Sequence, residues 1–256
     1  MTPYYQDDAV TIYHGDCREV VPTLGRFDLL LTDPPYGIGA GHHEKRANIQ
    51  GGNAAAPSRD YGPASDWDKA APARWVLDMC REHATWAVLW GGNYFEGLPP
   101  ARGWLVWDKD NGDNNYADCE LAWTNLELSV RKFRFRWMGM LQENMAEKEP
   151  RWHPTQKPVP LLMWCISLAG DVKTILDPFA GSGTTGRAAK DLGRKATLVE
   201  REERYCEIAA KRMAQEVLDF GPAGDSGAGI AGTIHSHAAS QANLFAEVNA
   251  NEGVTP

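Results

Sequence analysis

Residues 174–187 read Thr-Ile-Leu-Asp-Pro-Phe-Ala-Gly-Ser-Gly-Thr-Thr-Gly-Arg, and Gly181, Gly183 and Gly186 fall at G-x-G-x-x-G spacing. A short apolar strand precedes the glycines and a helical pattern follows them. A strand that turns on glycine into a helix opens a β-α-β unit, which commits the chain to a largely parallel sheet with helices packed on it. Glu200 ends the next apolar stretch, where an acid that binds ribose hydroxyls would sit. Two details separate this loop from a pyrophosphate site. Asp177-Pro178-Phe179-Ala180 intervenes before the first glycine, so a carboxylate stands where a pyrophosphate would need a helix N-terminus. No Gly-Lys-Ser or Gly-Lys-Thr follows, which excludes a Walker loop. A ligand with a cationic end suits Asp177 better. A dinucleotide-dependent oxidoreductase is the remote alternative, and glycine spacing alone supports it.

The rest of the chain fits the same architecture. Strand patterns at 10–14, 27–32, 86–90, 103–107, 131–137, 174–177 and 196–200 alternate with helical patterns at 73–83, 159–168, 184–192 and 203–218. Gly193 reads as a helix stop. Residues 37–66 lack periodicity and predict a long loop, and such loops in compact domains are commonly functional. From Gly221 to about Ser240 the composition turns to Gly, Ala, Ser and Asp, the pattern of a flexible linker. The expected organisation is a catalytic domain over 1–220 and a tail over 221–256.

Composition narrows the class. In 256 residues no run of about 18 apolar residues occurs, which predicts no membrane span, and the N-terminus lacks the pattern of a signal peptide. Five scattered cysteines without a C-x-x-C pair argue against a disulfide framework or a zinc site and favour a reducing cytoplasm. No metal is expected. The net charge is −8, but five acids and no Lys or Arg lie beyond Arg212, leaving −3 for the remainder. Global acidity therefore does not exclude a nucleic-acid partner.

A second constellation lies at Leu29-Leu-Leu-Thr-Asp33-Pro34-Pro35-Tyr36, directly after an apolar strand. Two prolines stiffen the turn and free its carbonyls to accept. An acceptor carboxylate and an aromatic ring flank them at the carboxyl edge of a buried strand, where open α/β sheets place their ligands.

With Asp-Pro-Pro-Tyr early and Asp-Pro-Phe-Ala-Gly-Ser-Gly late, the chain resembles the S-adenosylmethionine-dependent DNA amino-methyltransferases. Their permuted β class shares this motif order, and short phage-type adenine methylases are most similar. His153-Pro-Thr155-Gln156-Lys157-Pro158, Trp90-Gly-Gly-Asn-Tyr94-Phe95 and Trp107-Asp-Lys109 carry the resemblance further, over about residues 10–218. It implies a Rossmann-like, doubly wound, seven-stranded and mostly parallel sheet, circularly permuted, with a small target-recognition insertion at about 109–150.

The resemblance also implies roles. Asp177, Phe179, Gly181, Ser182, Gly183 and Thr184 would surround S-adenosylmethionine, with Glu200 on its ribose and Asp16 and Cys17 at its adenine. Lys157, helped by Thr155 and Gln156, would meet the methionyl carboxylate. Asp33 and the Pro34 carbonyl would accept from the exocyclic amine of a base flipped out of double-stranded DNA, beside Pro35, with Tyr36 stacking on that base. Asp at the head of the Pro-Pro turn points to adenine N6, with cytosine N4 as the alternative. A restriction-modification role, in a bacterial or phage-infected cytoplasm, accompanies the family.

DNA contacts are expected from His42, Lys45 and Arg46 in the long loop, and from Arg131, Lys132, Arg134 and Arg136 on one face of a strand. A solvated strand face is the plain alternative for the four basic residues. In the tail, Gln241-Ala-Asn-Leu244-Phe245 resembles the short peptides that dock on the bacterial sliding clamp. A DNA- or clamp-binding module without catalysis is the third hypothesis. The chain is expected to act as a monomer or homodimer.

Overall fold

The computed structural model describes residues 1–39, 68–112, 117–138, 141–145, 148–152 and 155–215. The long loop at 40–67 and the tail at 216–256 lie outside these, and so do His42, Lys45, Arg46, Gln241, Leu244 and Phe245.

In chain order the elements are β1 (Tyr5–Gln6), β2 (Val10–His14), α1 (Cys17–Val20), β3 (Phe27–Thr32), α2 (Arg74–Glu82), β4 (Ala84–Trp90), β5 (Trp104–Asp108), β6 (Cys119–Thr124), β7 (Arg131–Arg134), β8 (Trp137–Met138), β9 (Leu141–Gln142), α3 (Val159–Leu168), β10 (Thr174–Asp177), α4 (Thr184–Asp191), β11 (Lys195–Glu200) and α5 (Glu203–Ala214). Nine strands form one sheet in the order β1-β2-β11-β10-β3-β4-β6-β5-β7, and β8 and β9 make a separate hairpin.

The seven strands from β2 to β5 are the expected doubly wound sheet. All run parallel except β6, which pairs antiparallel with both β4 and β5. Two edge strands enlarge it to nine: β1 turns back on β2, and β7 runs parallel to β5. Residues 109–150 are consequently not a simple insertion. They contribute β6 to the interior of the sheet and β7 to its edge. The sequence hides β6 because Cys119-Glu-Leu-Ala-Trp-Thr is a mixed run between loop-like segments, and its partners lie far away in the chain.

Both faces of the sheet are covered, and alternation assigns the side chains. Leu30, Ala87, Leu89, Leu176 and Val199 share one buried cluster with Cys17 and Val20 of α1 and Val76, Leu77 and Cys80 of α2. On the other face α4 and α5 lie on β11, and α5 reaches β2. Gly186 permits that approach, because a Cβ there would sit 2.7 Å from Leu198 Cδ1. α5 buries Tyr205, Cys206, Ala209, Arg212 and Met213, a helical stripe at i, i+1, i+4, i+7 and i+8. α3 begins behind Pro158, carries Pro160 in its first turn where no donor is lost, and is followed by Gly170 at φ +76°.

The chain order explains the permutation. β10 and β11, late in sequence, stand beside β2 and β3, early in sequence. Glu200 is registered against His14, and Ile175 and Leu176 against Leu29 and Leu30. The carboxyl ends of β2, β11, β10 and β3 therefore open on one edge, with the switch in winding direction between β10 and β3. That crevice is where open α/β sheets bind ligands. Among the described residues no helix is long and apolar enough to cross a membrane.

Candidate active site

A cavity of about 530 Å³ occupies this edge. Its wall includes Asp16, Cys17, Asp33, Pro35, Thr155, Gln156, Lys157, Asp177, Phe179, Gly181, Ser182, Thr184 and Glu200, so the fold collects most of the expected residues around one space. Pro34, Tyr36 and Gly183 are not among the residues that line it. Gly183 serves packing, since its φ is +79° and a Cβ there would meet Ala209 Cβ at 2.8 Å.

At the glycine-loop end, Glu200 Oε2 accepts from the Gly181 amide at 2.7 Å and Oε1 from the Glu202 amide at 2.8 Å. Two backbone donors fix the carboxylate and leave further lone pairs for a ligand's hydroxyls. Burial pushes the Glu200 carboxyl up, opposed by those amides. Asp177 is more deeply held. Its Oδ1 accepts from Thr32 Oγ1 at 2.7 Å and the Phe179 amide at 3.1 Å, and its Oδ2 accepts from Thr185 Oγ1 at 2.6 Å. Burial raises its carboxyl to about 6 against the pull of these donors. It was expected to face a ligand directly, and the structure shows it also tying β10 to β3 and to α4.

Asp16 combines two roles. It lines the cavity, and it caps α1 through the Arg18 amide at 2.9 Å while its carboxylate grips the Arg18 guanidinium. Those bonds hold its carboxyl below the usual range. Cys17 is buried beside it, packed near Cys80 of α2.

The segment before α3 lines the cavity and makes polar contacts within the protein as well. Gln156 is buried, and its amide oxygen accepts from the Trp152 amide at 2.8 Å and from Ser182 Oγ at 3.2 Å. Its NH₂ donates to Glu149 at 3.1 Å and Pro150 O at 3.2 Å, so it organises the wall. Lys157 was expected at a ligand carboxylate, yet its ammonium stands 2.6 Å from Asp33 Oδ2 and 3.1 Å from Glu120 Oε2. It also donates to Tyr36 Oη at 3.0 Å and lies over the Trp90 ring at 5.3 Å.

Tyr36 donates to Asp33 Oδ1 at 2.6 Å, with Glu120 Oε2 a longer alternative at 3.3 Å. Its ring stacks on Tyr94 at 5.0 Å between centroids, and Phe95 meets it edge-on. One face of the expected base platform is thus already covered. Burial raises the Tyr36 phenol well above its ordinary value, reinforced by the two carboxylates.

Two residues that sequence reasoning did not single out complete the site. Glu120, on β6, bonds Lys109 at 2.6 Å as well as Lys157, and these two cations overcome its burial and hold its carboxyl down at about 2. Burial leaves the Asp33 carboxyl raised, with Glu120 adding to the rise and Lys157, the one cation bonded to it among the described residues, opposing it; Asp177 is a further carboxylate nearby. Arg212, buried on α5, donates to Ser182 O at 2.8 Å, to the Ser182 and Thr184 hydroxyls at 3.2 Å, and to Glu149 at 2.8 Å. A cation at i+7 of an apolar stripe was the available sequence signal for a buried partner.

The basic strand is largely balanced by its neighbours. Lys132 pairs with Asp108 at 3.2 Å, and Arg134 and Arg136 both pair with Asp110 at 2.5 Å. Burial alternates along it, with Phe133 and Phe135 half-buried and Lys132, Arg134 and Arg136 exposed, while Arg131 at the start of β7 is half-buried.

A seven-stranded core with one antiparallel strand inside an otherwise parallel sheet, and a cavity at the switch point, defines a class I methyltransferase fold. A family model described as DNA methylase, of the N6/N4 group, matches residues 104–211 of the chain. The chain is 28% identical to the type II methyltransferase M.HinfI of Haemophilus influenzae, over 80% of this chain and 68% of that protein. Among solved structures it resembles the M1.HpyAVI–SAM complex at 20% identity and TM-score 0.50, covering 80% of this chain and 99% of the other. It likewise resembles the PvuII DNA methyltransferase, named as cytosine-N4-specific, at 15% identity and TM-score 0.52, covering 84% and 90%.

Proposed function

We propose that this protein transfers a methyl group from S-adenosylmethionine to the N6 amine of an adenine flipped out of DNA. The observation that carries the proposal is the joining of two ends in one cavity. Glu200 and the Gly181 loop stand at one end and Asp33 at the other. The donor set suits the cofactor: a fixed carboxylate for ribose hydroxyls, Phe179 and Val76 for an adenine, and acids toward a cationic sulfonium. When bound, S-adenosylmethionine supplies an electrophilic methyl group.

The residues of the chain position and polarise the other reactant. Asp33, ionised and held at both oxygens, accepts from the exocyclic amine, and the Pro34 carbonyl takes its second hydrogen. Two acceptors aimed at those protons localise the nitrogen lone pair toward the methyl group. That nitrogen would take the methyl group, the cofactor leaving as a neutral thioether, and the proton shed by the amine would pass to solvent by way of the Asp33 carboxylate. Catalysis comes from orientation and fixed dipoles, with no covalent intermediate.

Adenine is favoured by Asp at the head of the Pro-Pro turn, since this residue resembles the adenine-modifying members of the family. The protein from 1 to about 220 serves as the catalytic domain, with DNA reached from the loop near 37–66 and from the surface around β7. The tail around Gln241, Leu244 and Phe245 is proposed to engage a sliding clamp, which binding that survives Leu244→Ala with Phe245→Ala would refute.

The test of the main proposal is Asp33→Ala with labelled S-adenosylmethionine and unmethylated DNA. The variant is expected to keep S-adenosylhomocysteine affinity and lose transfer; full transfer would remove Asp33 from the mechanism. Methylation-aware sequencing of DNA from an expressing host separates N6-adenine from N4-cytosine. A rise in melting temperature with NAD(H) but none with S-adenosylhomocysteine would restore the dinucleotide alternative.

A further inference from the structure

Lys157 is 4% exposed at its side chain, and its ammonium has three N–H donors. Three acceptors meet them: Asp33 Oδ2 at 2.6 Å, Glu120 Oε2 at 3.1 Å and Tyr36 Oη at 3.0 Å. Nothing of its hydrogen-bonding capacity is left for a ligand. Although burial disfavours its charge, the carboxylates of Asp33 and Glu120 keep Lys157 above the usual lysine range.

Asp33 needs such a partner. The groups facing it are Lys157, Tyr36, Glu120 and Asp177, with Lys109 behind Glu120 and the buried Cys165 thiol beside Lys157. Among the described residues Lys157 is the one cation bonded to Asp33. Burial and two other carboxylates both favour protonating it. A protonated Asp33 would present an O–H toward an amine that itself donates, so the acceptor would be lost.

We infer that Lys157, anchored from behind by Glu120, is a positioning residue that keeps Asp33 ionised and aimed, and that it does not bind the cofactor's carboxylate. This rests on the assignment of Asp33 as the acceptor for the target amine. The amount of charge is balanced: Asp33 and Glu120 against Lys157 and Lys109. Lys157→Met therefore leaves a surplus negative charge, whereas Lys157→Met with Glu120→Gln removes one charge of each sign.

The experiment measures methyl transfer to DNA against pH and S-adenosylhomocysteine affinity by calorimetry, for wild type, Lys157→Met, Lys157→Arg and the Lys157→Met/Glu120→Gln double variant. Lys157→Met is expected to move the acid limb of transfer upward by about 1–3 pH units and the double variant to move it upward by less, because it also loses the Glu120 charge, both with unchanged S-adenosylhomocysteine affinity. Lys157→Arg is expected to return the limb toward wild type. An acid limb that stays in place in an active methionine variant overturns the inference, as does weakened S-adenosylhomocysteine binding with an unmoved limb. Independently of any variant, ¹³C titration of the wild-type Asp33 carboxyl is expected to show it ionised at neutral pH; a protonated Asp33 there also overturns it. Transfer that persists in Asp33→Ala is a distinct result, which removes the role of Asp33 and leaves the carboxyl titration to judge Lys157.

Discussion

Thr32 Oγ1 donates to Asp177 Oδ1 at 2.7 Å, joining the ends of β3 and β10 across 145 residues of sequence. Asp33 follows one partner and the glycine loop follows the other. This buried hydrogen bond adds to the backbone pairing of the two strands in fixing the spacing between the proposed acceptor for the base and the proposed cofactor loop.

Thr32→Val keeps the shape and removes the donor. It is expected to lower stability by about 1–3 kcal/mol, because a buried acceptor loses a partner. Urea denaturation measures this, and transfer should fall with it while the isolated Asp33 environment is retained. Wild-type stability in the variant would show that the bond contributes nothing net.

The Asp177 carboxyl, raised to about 6 by burial, holds its proton more tightly in the folded than in the unfolded chain. Its contribution to stability is fully present below the unfolded value near 3.9 and is lost as pH rises through about 6. Compared with Asp177→Asn, which does not titrate, the wild type should lose relative stability between about pH 4 and 6. A pH series of denaturation curves with a constant difference between the two would contradict this.

Arg212→Met strips the glycine loop of its guanidinium and leaves Glu149 without its cation. The expected cost is about 3 kcal/mol, the lower end for breaking a buried pair, because the Glu149 side chain keeps 23% exposure. Arg212→Lys should rescue little, since one ammonium cannot reproduce the planar fork that reaches Ser182, Thr184 and Glu149 together. Thermal melts compare the three proteins, and S-adenosylhomocysteine affinity should fall in both variants as Ser182 is released.

Gly186→Ala places a methyl group 2.7 Å from Leu198 Cδ1 and 3.3 Å from Met213 Sδ. Over-packing of this kind costs about 1–3 kcal/mol. At Gly181 the added methyl meets nothing, but φ is +51°, so Gly181→Ala acts through the loop's conformation. The first substitution is expected to lower the melting temperature more than ligand affinity, and the second to lower ligand affinity more. Reversed effects would exchange the roles assigned to these two glycines.

Asp110 neutralises both Arg134 and Arg136. If this strand reaches phosphates, Asp110→Asn should tighten DNA binding and steepen its salt dependence, because two guanidinium groups become available for counterion exchange. Binding measured across a salt series decides. An unchanged slope would mark the strand as a solvated face.

The local patterns carried much of this structure. β2, β3, β10, β11 and the helices on them follow from apolar runs, glycine stops and helical stripes, and α3 spans Val159–Leu168 as its pattern requires. The permutation was also legible, because motif order is a linear property. β1 and β6 were not, since a two-residue strand and a mixed polar run are defined by pairing with distant partners.

The sequence by itself determined the architecture and the two loops, Asp33 to Tyr36 and Asp177 to Gly183, because turns, strand alternation and helix faces depend on neighbours within a few residues. The tertiary structure alone decided what those loops touch. It put Lys157 on Asp33, brought Glu120 from β6 behind them, covered Tyr36 with Tyr94, and turned Gly183 toward Ala209. Buried charges must find partners wherever the fold supplies them, and contacts across 121 or 84 residues leave no periodic trace in the chain.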